Sequence, residues 1–340
     1  MDRGMTFPLG ILDQSPVLAG ATPREAVLAT IALARDADRL GYHRYWLAEH
    51  HAMRGLADPA PEVLLARIAA ETSRIRVGTG GVLLPHYASL KVAEQFRMLE
   101  ALAPGRIDLG IGRAPGGSQR VSLALESADV HRFPQQVADL LGFLDRSLPH
   151  GHPLEKLTAM PSGETAPEVW LLGSSDYSAA LAAELGVPFA FAHFISGDAQ
   201  AVTRMYRRHF RPSARCAEPR VLLAVAALAA ESVDVANSLA ATIDLWRLRI
   251  RHGVDLPVPS YDEAHAYPYT PHDREEIAYN RRRLAVGSAA GVRALIEELV
   301  ASHEADEAMV LTITPDYASR TRSYELLAAA FAPSPALSEA

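Results

Sequence analysis

"RIRVGTGGVLL", Arg74 to Leu84, reads as a β-strand carrying glycines at 78, 80 and 81, and the architecture turns on it. Glycine inside a strand costs conformational entropy and packs nothing, so the cluster marks a bulge or a place where a flat ligand needs the backbone close. The next stretch, "ASLKVAEQFRMLEAL" (88–102), has helical period, and "RIDLGIGR" (106–113) returns to an apolar strand. Strand, helix and strand in immediate succession form the unit of a parallel sheet, whose neighbours need a crossover connection.

The same rhythm continues on both sides of this stretch. Strands are expected at "LGILDQS" (9–15), "RYWLAEH" (44–50), "VWLLGSS" (169–175), "FAFAHFI" (189–195), "RVLLAVAALA" (220–229) and "AMVLTIT" (308–314). Helices are expected at 23–40, 59–73, 88–102 and 177–185, several opened by Thr, Asp, Ser or Pro and one closed by Gly41. With the two strands above, the strands number eight, each followed by a helix, which predicts an α/β fold of the (β/α)8 TIM-barrel type. An open doubly wound sheet would alternate similarly but has fewer strands, and no linker halves the chain. The expectation is one barrel domain over residues 1–332, with 333–340 a disordered tail. Residues 252–284, rich in Pro, Tyr and charge, break the rhythm and read as a lid-like insertion before a helix beginning near Gly287.

Across 340 residues, 33 basic and 40 acidic side chains leave a net charge of −7, which disfavours nucleic acid and anionic membranes as partners. A small-molecule substrate fits better. One cysteine, Cys216, allows neither an internal disulfide nor a thiolate metal cluster. The longest apolar run, "VLLAVAALAA", is too short to span a bilayer, and the N-terminus has no signal-peptide core, so a cytoplasmic protein is expected.

A barrel of this type carries its active site at the C-terminal strand ends. There stand Asp13, Gln14, Glu49 to His51, Gly80, Gly81, Gly112, Arg113, Ser174, Ser175 and His193. In "WLAEHH" alternation puts Trp46, Ala48 and His50 on one face and Leu47, Glu49 and His51 on the other, so only one of the two histidines can look into a pocket. "GIGRAPGG" has Pro115 where a dinucleotide fingerprint needs its third glycine. "GSSDYS" opens a helix with Ser174, Ser175 and Ser178, which serve either as an ordinary N-cap or as a phosphate site; Arg113 at the neighbouring rim favours the second.

Taken together, "YWLAEHH", "RVGTGGVLLPHYASLKVAEQFRMLEAL", "GRIDLGIGRAPGG" and "GSSDYSAALAAELGVPF" resemble the bacterial luciferase-like flavin monooxygenases. The resemblance covers most of the chain. It implies a barrel with an insertion, reduced FMN at the C-terminal mouth, O2 as co-substrate reacting through a flavin peroxide adduct, and a homodimer. The reductant would come from a separate flavin reductase, since no nicotinamide motif is visible. By position, His50 matches the catalytic histidine, Gly80 and Gly81 the bulge against the flavin ring, and Arg113 with Ser174, Ser175 and Ser178 the phosphate set. Gly112 stands where the light-emitting luciferases carry a reactive cysteine, and Ser174 where they carry an acidic residue, so the chain resembles the single-subunit relatives that act on other substrates.

Asp13, His51, His86 and His193 are candidates for the substrate pocket, each with a structural reading of equal standing. Three rivals remain: a deazaflavin-dependent dehydrogenase on the same barrel, a flavin-binding protein without turnover, and a metal-dependent hydrolase. The last needs several inward ligands at once, whereas the first strand offers Asp13 alone, so no metal is expected.

Overall fold

A computed structural model of the chain describes residues 7–127, 129–197 and 199–332, so the expectation for 333–340 lies outside the described residues. Its strands are β1 (Leu9–Asp13), β2 (Arg44–Leu47), β3 (Arg76–Thr79), β4 (Val82–Leu83), β5 (Ile107–Gly112), β6 (Glu168–Gly173), β7 (Phe189–Ala192), β8 (Val221–Ala230), β9 (Leu284–Ser288) and β10 (Glu307–Leu311), all parallel. β10 pairs with β1 on one side and β8 on the other, which closes the ring β1-β2-β3-β5-β6-β7-β8-β10. This is the eight-stranded TIM barrel.

β4 continues β3 after a slip of register. Gly78 pairs with Asp108 but Val82 with Ile111, so Thr79, Gly80 and Gly81 face only Leu109 and Gly110. That is a bulge, and the Gly80–Gly81 peptide within it is cis. Side chains are excluded by contact: a Cβ on Gly81 would stand 2.6 Å from the Gly110 carbonyl oxygen, and one on Gly110 2.1 Å from that of Thr79.

The helix Pro23–Leu40 opens with a capping box between Thr22 and Glu25 and closes on Gly41 in the left-handed region (φ 84°). The end of the insertion departs from expectation. Leu284–Ser288 is a strand, and the helix after it starts at Ala289, capped by the Ser288 hydroxyl. Ala226 of β8 pairs with Leu311 on one side and Leu284 on the other, so β9 takes the edge that β7 leaves at Ala192. Five residues of mixed size carry no period that separates strand from helix, which is why the sequence hid it.

The rest of the insertion holds the helices Tyr261–Ala266 and Pro271–Arg281, each opened by a capping box. It is tied to the barrel rim. Val258 exchanges backbone bonds with Val17 and Ala19 at 2.8 and 2.7 Å, and Asp255 accepts from the Arg54 amide at 2.9 Å.

Inside the barrel, the N-terminal strand ends carry three arginines and three carboxylates. Arg44 donates to Glu307 (2.7 and 2.9 Å), Asp108 (2.7 Å) and Glu168 (3.1 Å). Arg76 forks onto Asp108, and Arg220 reaches both Glu168 and Glu307. Trp46 and Trp170 lie on this ionic layer, edge to face at 5.7 Å, with the Arg44 and Arg220 guanidinium groups each 4.9 Å from the Trp170 ring and the Trp46 indole N–H on Asp108. The run "VLLAVAALAA" is β8, buried along its whole length. No helix of the described residues is long and apolar enough to cross a membrane.

Arg44, 2% exposed at its side chain, is the arginine of the three that reaches all three carboxylates. Burial pushes Glu168 and Glu307 up, but Arg44 together with Arg220 holds Glu168 down to about 2 and Glu307 below the usual range. Depressed carboxyl values stabilise the fold above about 4.5 and lose that effect as pH falls toward 2. Arg44→Met is therefore expected to cost about 3–5 kcal/mol at neutral pH by leaving buried charge unpaired. Urea unfolding should show this deficit narrowing as pH falls below 4.5.

Candidate active site

Above the tryptophan layer the barrel is lined by small residues, among them Ala48, Ala190, Ala224 and Gly112, and a cavity of about 360 Å³ opens toward the C-terminal mouth. That volume falls in the range of small-molecule pockets, roughly 300–1,000 Å³. His50, Gly80, Gly81, Gly112, Arg113, Ser174, Ser175 and Ser178 all border it, so four strand ends distant in sequence converge on one space.

β2 delivers His50 by alternation: Trp46, Ala48 and His50 border the cavity while Leu47 is buried in the outer core. The His50 amide donates to the Asp58 carbonyl at 3.1 Å, fixing the turn out of the strand. Its Nδ1 is buried with no hydrogen-bond partner among the described residues. Burial pushes its pKa down to about 4, with the Ala48 backbone opposing the fall and His51 adding to it. The imidazole is thus neutral at physiological pH.

Glu49 borders the cavity too, but its carboxylate is engaged at the rim. Its carboxylate accepts from the Leu83 amide (2.9 Å), from the Tyr87 hydroxyl (2.7 Å) and pairs with the His51 ring (2.7 Å), so it fastens the strand end that carries His50 to the segment following the bulge. Gly112 is roomier than its neighbours: an added Cβ would meet nothing nearer than Leu83 at 3.4 Å.

The opposite end of the cavity is polar. The helix Asp176–Leu185 starts here with Ser175 as N-cap, yet the Ser175 hydroxyl makes no capping bond. Asp176 instead accepts from the Tyr177 amide and does not border the cavity. The helix N-terminus and hydroxyls therefore remain available to an anion. Gly173 admits Ser178 alongside, since its own Cβ would lie 2.3 Å from that hydroxyl. The Arg113 guanidinium stacks 4.0 Å over the Tyr177 ring, and has no carboxylate partner among the described residues.

Asp13, His51, His86 and His193 do not border the cavity. Asp13 lies between its cavity-lining neighbours Leu12 and Gln14 and so faces outward, where Arg320 (2.6 Å), the Ser15 amide (2.7 Å) and the Tyr45 hydroxyl saturate it. His86 bridges the Ser127 hydroxyl and the Pro115 carbonyl, with the His51 ring edge-on at 5.5 Å. His193 packs edge-on to His303, while the next two residues, Phe194 and Ile195, reach the cavity. Those two were not legible in "FAFAHFI", because the strand ends at Ala192 and a helical turn, His193–Ser196, resets the alternation. Among the described residues no three His, Cys, Asp or Glu side chains gather as a metal-binding group.

Residues 7–305 match the model of the luciferase-like monooxygenases. The Bacillus subtilis protein YwcH is 46% identical over 95% of this chain and 99% of its own, and the Bacillus subtilis N-acetyl-S-alkylcysteine monooxygenase is 35% identical over 94% and 96%. The crystal structure of apo-MsnO8 superposes with a TM-score of 0.89 at 43% identity, covering 96% of this chain and 97% of its own. More distant structures share the fold, among them a type II Baeyer–Villiger monooxygenase component in complex with FMN (19% identity, TM-score 0.70) and an F420-dependent secondary alcohol dehydrogenase (13%, 0.68).

Titration of the His50 ring by NMR in the ligand-free protein is expected to give a midpoint near 4, well below the ordinary 6.5. A midpoint near 6.5 would mean that the ring is solvated and that the cavity wall is open there.

Proposed function

This chain belongs to the luciferase-like monooxygenase family, an oxidoreductase family, and on that footing we propose that it is an FMN-dependent monooxygenase that adds one atom of O2 to a small organic molecule. One observation carries the reading: a single cavity brings together an anion-ready polar end, a glycine-walled flat face and a neutral imidazole. The residues fit FMN. Ser175 carries an uncommitted hydroxyl at a helix N-terminus, Arg113 a guanidinium without a carboxylate among the described residues, and Gly80 and Gly81 a stretch of wall made by backbone rather than side chain.

Arg113, Ser174, Ser175 and Ser178 would hold the phosphate, and the bulge would lie against the ring. When bound, reduced FMN supplies the two electrons that activate O2, delivered to it by a separate flavin reductase. The protein's own share is to bind, to exclude water and to manage one proton. The tryptophan floor and the walls of Leu12, Leu172, Leu222 and Met309 keep bulk water out. His50, neutral and with Nδ1 lacking a hydrogen-bond partner among the described residues, holds or accepts a proton at that atom.

A homodimer is proposed through the helices Pro61–Glu71 and Ser89–Leu102, whose outer faces expose Val63, Met98 and Leu102 over 50% each. Sedimentation is expected to give twice 36.7 kDa, and Leu102→Glu to shift it toward the monomer.

Arg113→Ala separates the phosphate role from the ring. FMN binding should weaken by about 1.5–3 kcal/mol, the worth of a charge-assisted hydrogen bond, while riboflavin affinity stays within a factor of about two. Equal losses for both flavins would contradict this placement of the phosphate.

A further inference from the structure

Gln14, at the end of β1, borders the cavity between two residues that do not, Asp13 and Ser15. Its place is fixed from both sides. The Ala48 amide donates to the Asp13 carbonyl at 2.9 Å, which continues the pairing of β1 with β2 and puts Gln14 beside Ala48, one inward step below His50. Ser15 then takes a left-handed φ of 50°, uncommon for a residue with a side chain. It is held there by the Asp13 carboxylate on its amide (2.7 Å), the Thr30 hydroxyl on its hydroxyl (3.0 Å) and the Ala57 amide on its carbonyl (2.9 Å). The Gln14 carboxamide itself has no hydrogen-bond partner among the described residues.

The order of the strands decides what that carboxamide can meet. β6, which leads into the serines, stands four places from β1 in either direction around the ring. One way, through β2, β3 and β5, lie His50, Gly80, Gly81 and Arg113. The other way, through β7, β8 and β10, the cavity is lined by Ala190, Ala192, Leu222, Ala224 and Met309, none of them polar. Gln14 closes this apolar half, and His50 stands between it and the glycine wall. Of the charged side chains at the cavity, Glu49 is engaged by the Leu83 amide, Tyr87 and His51, and Arg113 lies on the far side with the serines. An ionic group brought into the apolar half would therefore lose its hydration with no counter-ion in return. A carboxamide side chain offers one C=O acceptor and one NH2 donor, and a ligand with N–H and C=O side by side satisfies both.

We propose that Gln14 is a specificity-determining residue, and that the substrate is an uncharged molecule whose apolar body lies against β7, β8 and β10 while a primary amide or lactam edge pairs with the Gln14 carboxamide. This rests on the reading of the cavity as the oxidation site. It adds a substrate class to it.

Calorimetric titration of the FMN-loaded protein with benzamide, acetophenone and benzoate tests the assignment, since the three share a shape and differ in the edge they present. In the wild type benzamide is expected to bind at least about threefold more tightly than either of the others, the scale of one net hydrogen bond. Gln14→Met and Gln14→Leu should bring benzamide and acetophenone within about twofold of each other by weakening benzamide alone, with FMN affinity unchanged. Wild type that binds FMN but none of the three, or that binds acetophenone or benzoate as tightly as benzamide, overturns the proposal alone. So does a preference for benzamide that survives in Gln14→Met. Equal losses of FMN and riboflavin binding in both variants would assign the carboxamide to the flavin ring and overturn it as well. A wild-type protein that binds no FMN overturns both this and the reading beneath it.

Discussion

The structure depends on how the barrel interior is divided. Its lower half is filled by a balanced set of charges, Arg44, Arg76 and Arg220 against Asp108, Glu168 and Glu307, roofed by Trp46 and Trp170. These groups are large and mutually satisfied, so they close the bore without a channel. Only because the floor is rigid can the upper half be left to alanine and glycine. A cavity made by small residues over a soft floor would collapse, since packed interiors tolerate few voids.

The upper half then works by backbone rather than side chain. Gly81 and Gly110 are forced by contacts between adjacent strands, and the bulge that results presents main chain to the cavity. Glu49 fastens the same region from behind, through the Leu83 amide, on the strand end that also carries His50. Wall and imidazole are therefore set by one local arrangement. At the far end Ser175 and Arg113 border the same cavity from the ends of two further strands. Redox chemistry in a dry pocket needs this separation: an anion site that tolerates solvent at one end, and a reacting face that does not at the other.

Much of this was legible in the sequence because strands alternate. The pattern in "WLAEHH" put Trp46, Ala48 and His50 together, and the glycines of "RVGTGG" announced a bulge before any neighbour was known. Alternation also explains why Asp13 faces away from the cavity, though the sequence alone left its role open, because a carboxylate at a strand end looks the same whether it meets Arg320 or a substrate. What stayed hidden depends on which distant segments become neighbours. Arg44 and Glu307 are 263 residues apart, and nothing local ties them. β9 was too short to declare its period, and the rim contacts that Val258 and Asp255 of the insertion make, with Val17, Ala19 and Arg54, join segments far apart in the chain.

Where FMN sits in the barrel decides between these possibilities. Crystals of the protein soaked in FMN are expected to show the phosphate between Arg113 and the hydroxyls of Ser174, Ser175 and Ser178, and the isoalloxazine ring along Gly80 and Gly81 on the side where His50 lines the wall. Density for FMN elsewhere on the barrel, or a cavity filled by its own side chains at saturating FMN, would contradict it.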